Sequence, residues 1–529
     1  MVLELKHISK YYGDKKILEI ENLKIYENEK IGIVGQNGSG KTTLLNIISG
    51  ALKPDTGEIV RKQKILYLEQ FEETNNENLN LSGGEKKKKA FNQKILKQTG
   101  ILLIDEPSSN LDENGIQYIK KELKKYNGTI LIISHYRSLL DEICTGIIEI
   151  KDGKVKKYDG NYASYKMQKE AEIKRQQFEY RQYIEEKNRL QKAIMISKNT
   201  AKEIRKTPKR MGNSEARLHK RGVENVREKL EGHTNALKTR LEKLELKEKP
   251  HTNSQIYMQY QTETSIKSKI AIDIQNLTLQ LGKKSLFENA SCVIKTNHKT
   301  ALIGENGVGK TTLINEIIKN TNKSIKINPG IRIGYFSQDF TNLNFQKSVI
   351  ENVMQDTNQS EKVVKNVLAN LLFKDKDIHK KIENLSGGER VKASIAKILV
   401  SENNMLILDE PTNFLDIESI ESLEKLLKEY NGTILFVTHD KTFMDNIATD
   451  ILLIKNHKII EYEGNYTSYL QYQEEKSKKK ETYTENNKLL LDFKLSQISS
   501  ELSVTKDEER KKELEEEFNR LIQLRNLTN

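Results

Sequence analysis

The sequence predicts an α/β protein: two tandem domains of one kind, joined by a long α-helical hairpin and followed by a helical C-terminal extension. Three observations carry this. A glycine-rich loop set between an apolar run and a helical pattern occurs twice, at Gly35–Thr42 and Gly304–Thr311. The chain's 529 residues suffice for several cores of ordinary domain size. Between the repeats, residues 166–249 carry 24 basic and 13 acidic side chains and almost no proline or glycine, which reads as extended helix.

Both loops fit G-x-x-x-x-G-K-[ST]. Ile31-Gly32-Ile33-Val34 reads as a buried strand entering the first loop, and Thr43-Leu44-Leu45 as the helix leaving it. Glycines let the backbone wrap phosphates with its N–H groups, and the helix N-terminus adds a favourable dipole. Gly35, Asn37, Gly38 and Gly40, with Gly304, Asn306, Gly307 and Gly309, form the two cradles. Lys41 and Lys310 are placed to reach the β- and γ-phosphates, Thr42 and Thr311 to hold Mg²⁺, and Thr43 and Thr312 follow them. A single match is a weak signal; two in one chain imply two nucleotide-binding sites, each with a place for Mg²⁺.

The first repeat then runs through a fixed order. Tyr12, before Gly13, suits either an adenine stack or a plain surface turn. The strand Ile65–Leu68 leads to Gln70, whose amide is placed to sense metal and γ-phosphate. Leu81-Ser82-Gly83-Gly84-Glu85 opens a helix with free backbone donors, a second anion site. Ile101–Ile104 is a buried strand ending in Asp105 and Glu106, which suit metal coordination and polarisation of water respectively. Ile130–Ser134 is another such strand, and its His135 is placed for a γ-phosphate contact. The second repeat gives Gln338, Ser386-Gly387-Gly388, Asp409, Glu410 and His439 in the same order, with Leu281 where Tyr12 would stand. The glutamine-to-signature spacing is 12 positions in the first repeat and 48 in the second, so the first has lost most of a helical subdomain.

This order resembles that of the ABC-type ATPases. The resemblance implies that the domains face head to tail, the signature of each closing on nucleotide held by the other. It makes Glu106, Glu410, His135 and His439 the catalytic set, and Thr42, Gln70, Asp105, Thr311, Gln338 and Asp409 the metal set.

Boundaries follow as 1–162, 163–267, 268–475 and 476–529. In the linker, helices over about 163–205 and 214–248 flank a tip near 206–213. Val223, Val226, Leu230, Leu237, Leu241 and Leu244 step as an antiparallel coiled-coil seam. Lys202, Arg205, Lys206, Lys209, Arg210, Arg217, Lys220 and Arg221 concentrate charge at the tip. A phosphate backbone suits them; a merely solvated face is the plainer reading of a charge run. The tail pattern, Leu489–Leu491 and Leu514–Leu524, reads as a short helical hairpin.

Tandem ABC-type domains around a basic hairpin resemble the ABC-F translation ATPases, and within them the antibiotic-resistance, Vga-like group. That resemblance implies a ribosomal partner, with the hairpin near P-site transfer RNA, rRNA and the peptidyl-transferase centre. It also implies a monomer and protection against lincosamides, pleuromutilins and streptogramin A compounds. A housekeeping translation factor is the alternative; a transporter subunit or a DNA-directed ATPase fits the basic hairpin or the cysteine pattern less well. No window reaches the roughly 18 apolar residues of a membrane span. Cys144 and Cys292 lack metal-ligand spacing, so reduced thiols in a cytosolic chain are expected.

Overall fold

The computed structural model describes residues 1–68, 100–107, 111, 113–203, 213–245, 247, 268–282, 284–504 and 514–522. Among these, the first domain builds one nine-stranded sheet from β1 (Leu3–Tyr12), β2 (Lys15–Ile25), β3 (Lys30–Gly35), β4 (Thr56–Arg61), β5 (Ile65–Leu68), β6 (Ile101–Asp105), β7 (Thr129–Ile133), β8 (Gly146–Lys151) and β9 (Lys154–Asp159). Its half ending at β5, β8-β3-β7-β6-β5, is parallel, with Ile31 opposite Leu131 and Leu131 opposite Leu103. Strands buried on both faces must be apolar throughout, and β6 and β7 are buried at every residue. Helices α1 (Lys41–Ser49), α2 (Glu113–Lys125) and α3 (Arg137–Ile143) cover them.

The second domain repeats the plan. Strands β10 (Ile270–Leu281), β11 (Lys284–Lys295) and β13 (Ile325–Ile327) form an antiparallel sheet. A six-stranded sheet combines β12 (Lys299–Ile303), β14 (Ile333–Phe336), β15 (Met405–Asp409), β16 (Thr433–Val437), β17 (Asp450–Lys455) and β18 (Lys458–Glu463). Helix α6 (Lys310–Lys319) follows its glycine loop. The helical subdomain expected from the longer spacing is present as α7 (Val349–Met354), α8 (Glu361–Asn370) and α9 (Gly387–Val400). Helices α10 (Ile417–Glu429) and α11 (Lys441–Ile447) complete the layer. Phe336, Phe436 and Phe443 are fully buried in the largest of its cores. Both cysteines are free and buried, and burial pushes each thiol up to about 12.

The linker contains α4 (Tyr162–Glu203) and α5 (Asn213–Glu242), packed against each other. The seam differs from its sequence pattern. Val226 is 47% exposed, whereas Thr234, in the gap between Leu230 and Leu237, is 7% exposed. Its hydroxyl lies 2.8 Å from that of Ser197, and both hydroxyls reach the Leu230 carbonyl, so a polar pair fills the missing heptad position. Helix α12 (Tyr466–Val504) runs unbroken past residue 475, so the expected domain boundary falls inside a helix. A last helix, α13, spans residues 514–522.

Candidate functional site

The first glycine loop turns into α1 through Gly40, whose φ of 102° is open to glycine and closed to most side chains. Gly309 repeats this at 108°. Lys41 Nζ donates to the Gly35 and Gln36 carbonyls at 2.8 and 3.1 Å; Lys310 Nζ does the same to Gly304 and Glu305 at 2.8 and 3.0 Å. Thr42 Oγ1 donates to Asp105 Oδ2 at 2.8 Å, and Thr311 Oγ1 to Asp409 Oδ2 at 3.1 Å. Each pair sets a hydroxyl beside a carboxylate, hard oxygen donors of the kind Mg²⁺ takes.

The acidic strand ends carry strained backbone. Glu106 and Glu410 have φ of 48° and 51°, left-handed values that are uncommon outside glycine. The Glu106 and Glu410 N–H groups donate to the Ile133 and Val437 carbonyls, tying each carboxyl to the strand that delivers its histidine. His135 Nε2 lies 3.1 Å from Glu106 Oε1, and His439 Nε2 lies 3.4 Å from Glu410 Oε1. Burial, then the neighbouring aspartate, pushes Glu106 up to about 8 and Glu410 to about 7. Burial, then Lys41, lowers His135 to about 4. Near pH 7 the Glu106–His135 contact therefore joins two neutral groups rather than an ion pair. Such a carboxyl is poised to gain or lose a proton once charge arrives beside it.

The two domains meet head to tail on this loop. The Asn37 N–H donates to Asp416 Oδ2, its side-chain amide to the Phe414 carbonyl, and the Gln36 amide to Glu418 Oε2, each at 2.8 Å. Asp416 Oδ1 also accepts the Ser419 N–H as the cap of α10, and these donors outweigh burial to hold its carboxyl below the usual range. Ser386 caps α9 through a reciprocal box with Glu389. A Cβ on Gly388 would stand 2.5 Å from the Phe414 carbonyl oxygen and 2.9 Å from Asn37 Nδ2, so only glycine admits this approach. Between Gly38, Ser39 and Ser386 lies a cavity of about 480 Å³, with Lys15, Lys16 and Lys392 among its walls. Ser39 Oγ, buried there, has no hydrogen-bond partner among the described residues. An unsatisfied hydroxyl, glycine-cradled amides and several ammonium groups fit a polyphosphate.

A second cavity, of about 460 Å³, lies at the other loop, lined by Gly304, Lys310, His439, Met444, Tyr466 and Tyr469 among others. Gln338 is exposed in the turn after β14. Tyr12 is 55% exposed, and its hairpin contributes Lys15, Lys16 and Ile17 to the first cavity. Gln70, Ser82, Gly83 and Gly84 lie outside the described residues, as do Arg205, Lys206, Lys209 and Arg210 of the tip. Lys202 sits at the end of α4, and Arg217, Lys220 and Arg221 on the early turns of α5. Asp416 closes the Asn413-Phe414-Leu415-Asp416 run of the repeated order, but nothing local to it or to Glu418 points to the first loop that they hold from across the interface.

Two glycine-loop domains, one lending its signature helix to the other's phosphate loop, define a twin-domain nucleotide hydrolase of the ABC type. Comparison with known proteins agrees. The ABC transporter family matches residues 18–79 and 287–413. The ribosome protection protein VmlR of Bacillus subtilis is 31% identical over 98% of this chain and 97% of its own. The erythromycin resistance ATP-binding protein MsrA of Staphylococcus epidermidis is 35% identical, over 84% and 96%. The ATP-binding protein Uup of Escherichia coli is 28% identical, over 86% and 80%. In fold, the chain is similar to the archaeal recycling factor aABCE1, solved with a ribosomal stalk protein, with a TM-score of 0.56 at 18% identity over 84% of this chain and 87% of that one. The chain belongs to the ABC-F family of ATPases. It is an ATP hydrolase, and among its described residues no helix is long and apolar enough to cross a membrane.

Proposed function

We propose that this chain is a ribosome-protection ATPase of the Vga-like, antibiotic-resistance group. ATP and Mg²⁺ bound at the two loops close the domains. Lys41 faces Ser386 across the first site, and Lys310 is paired with Ser82 across the second. Thr42, Asp105 and Gln70, with Thr311, Asp409 and Gln338, hold the metal. Glu106 and Glu410 orient the attacking water, and His135 and His439 contact the γ-phosphate. Closure fixes the hairpin's angle through differential binding to the closed state. The basic tip then meets P-site transfer RNA and rRNA near the peptidyl-transferase centre and displaces lincosamides, pleuromutilins and streptogramin A compounds. The observation that carries this reading is the head-to-tail cavity at Asn37, Gly388 and Asp416, joined in one chain to the α4–α5 hairpin. The names of the VmlR and MsrA relatives support it; the Uup relative leaves the housekeeping alternative open.

The test is a susceptibility panel in a sensitive host, with the chain and with its Glu106→Gln/Glu410→Gln variant. Raised tolerance to the three drug classes, lost in the variant, is expected. Unchanged tolerance, with the variant still pelleting with ribosomes, moves the reading to a general translation factor.

A further inference from the structure

Arg137 opens α3, two residues after His135, and is 4% exposed. Its guanidinium leaves its own domain. Nη2 donates to Glu424 Oε1 on α10 and, at 3.2 Å, to Asp440 Oδ2. Both acceptors are fixed from behind. Asn446 donates to Glu424 Oε2 at 3.0 Å, and Asp440 Oδ1 accepts the Thr442 and Phe443 N–H groups to cap α11. The Asp440 N–H donates to Thr438 Oγ1, which lies 2.8 Å from Thr412 Oγ1. Asp440 directly follows His439, whose ring faces Glu410. One arginine of the first domain therefore grips the loop that presents the second site's histidine.

The duplication supplies an internal control. From Asp105 onward the repeats correspond at an offset of 304, as Asp105 does to Asp409. The counterparts of Glu424, Asn446, Asp440 and Arg137 are thus Lys120, Glu142, Tyr136 and Lys441. In the first domain Lys120, 3% exposed, pairs at 2.5 Å with Glu142 of its own domain. The arginine between two carboxylates is therefore not repeated residue for residue at the first domain's counterpart positions. Two buried carboxylates converging on one buried guanidinium are costly to leave apart, so their union reports that the domains have met.

We propose that Arg137 is a positioning residue for the second ATP site: on closure it seats the Thr438–Lys441 loop, and with it His439, so that turnover at Lys310 and Glu410 depends on docking of the first domain. This rests on the ATPase assignment alone and holds whichever ribosomal role is correct.

The test uses the full chain with one site silenced at a time. Glu106→Gln leaves the second site to turn over, and Glu410→Gln leaves the first. Arg137→Met in the first background is expected to lower kcat about tenfold, the scale of a misplaced catalytic group, with KM nearly unchanged. In the second background kcat stays within about twofold. Arg137→Lys restores part of the loss. Glu424→Gln, which keeps its contact with Asn446, shows the same selectivity and decides the matter should Arg137→Met unfold. Equal loss in both backgrounds would make Arg137 a structural dock and overturn the proposal. So would loss in neither, or loss confined to the first site.

Discussion

At the scale of single residues, the carboxyls at the two strand ends are held at a cost in stability. Glu106 is buried, held near φ 48° and pushed up to about 8. The sign of its linkage follows. Unfolded, the carboxyl ionises above about 4.5; folded, it holds its proton until about 8. Between these values the unfolded state binds fewer protons, so stability falls as pH rises and levels off above 8. Glu106→Gln removes that penalty. Without nucleotide or metal, the variant should unfold later than the parent, by a margin that grows from pH 4.5 to 8 and reaches about 1–3 kcal/mol. Thermal scans across that range check it, and a constant or shrinking margin contradicts it. This residue pair was legible in the sequence because an apolar strand ending in Asp-Glu is a local pattern. Arg137 was not, because nothing near it in the chain names Glu424 or Asp440, 287 and 303 positions away.

At the scale of elements, hydrophobic patterning located β3, β5, β6 and β7 of the first domain and both long linker helices, since each depends on neighbours one or two turns away. It misjudged the coiled-coil seam. The step of seven from Leu230 to Leu237 hid Thr234, which periodicity counts as polar although it is buried against Ser197. Such a pair fixes register more than it adds stability. Ser197→Ala alone, which takes one partner away, should loosen the hairpin by about 1 kcal/mol. Ser197→Ala with Thr234→Val should cost less than the sum of the single changes, because no orphaned hydroxyl remains. Hydrogen exchange at the α5 amides around Leu230 reads both, and strict additivity would remove the pair from the account.

At the scale of the whole molecule, the domains share more than a nucleotide cavity. Ile417, at the head of α10, is buried in a core cluster whose other members belong to the first domain and the root of α4, beside Tyr162 and Tyr165. Ile417→Asp puts an unpaired charge there, costing several kcal/mol unless the domains part. Introduced into the Glu106→Gln/Glu410→Gln chain with ATP, it should enlarge the radius of gyration measured by small-angle scattering; an unchanged radius would show that this contact does not hold the domains together. The hairpin is rooted at this same place. Tyr162 and Lys166, in the first two turns of α4, donate to Glu421 of the other domain. From there α4 continues without a break for 42 residues, roughly 63 Å at about 1.5 Å per residue. Each degree of rotation at its root sweeps the far end through about 1 Å. The helix is shaped as a lever with its fulcrum on the interface, so any small rotation at the root is multiplied along its length.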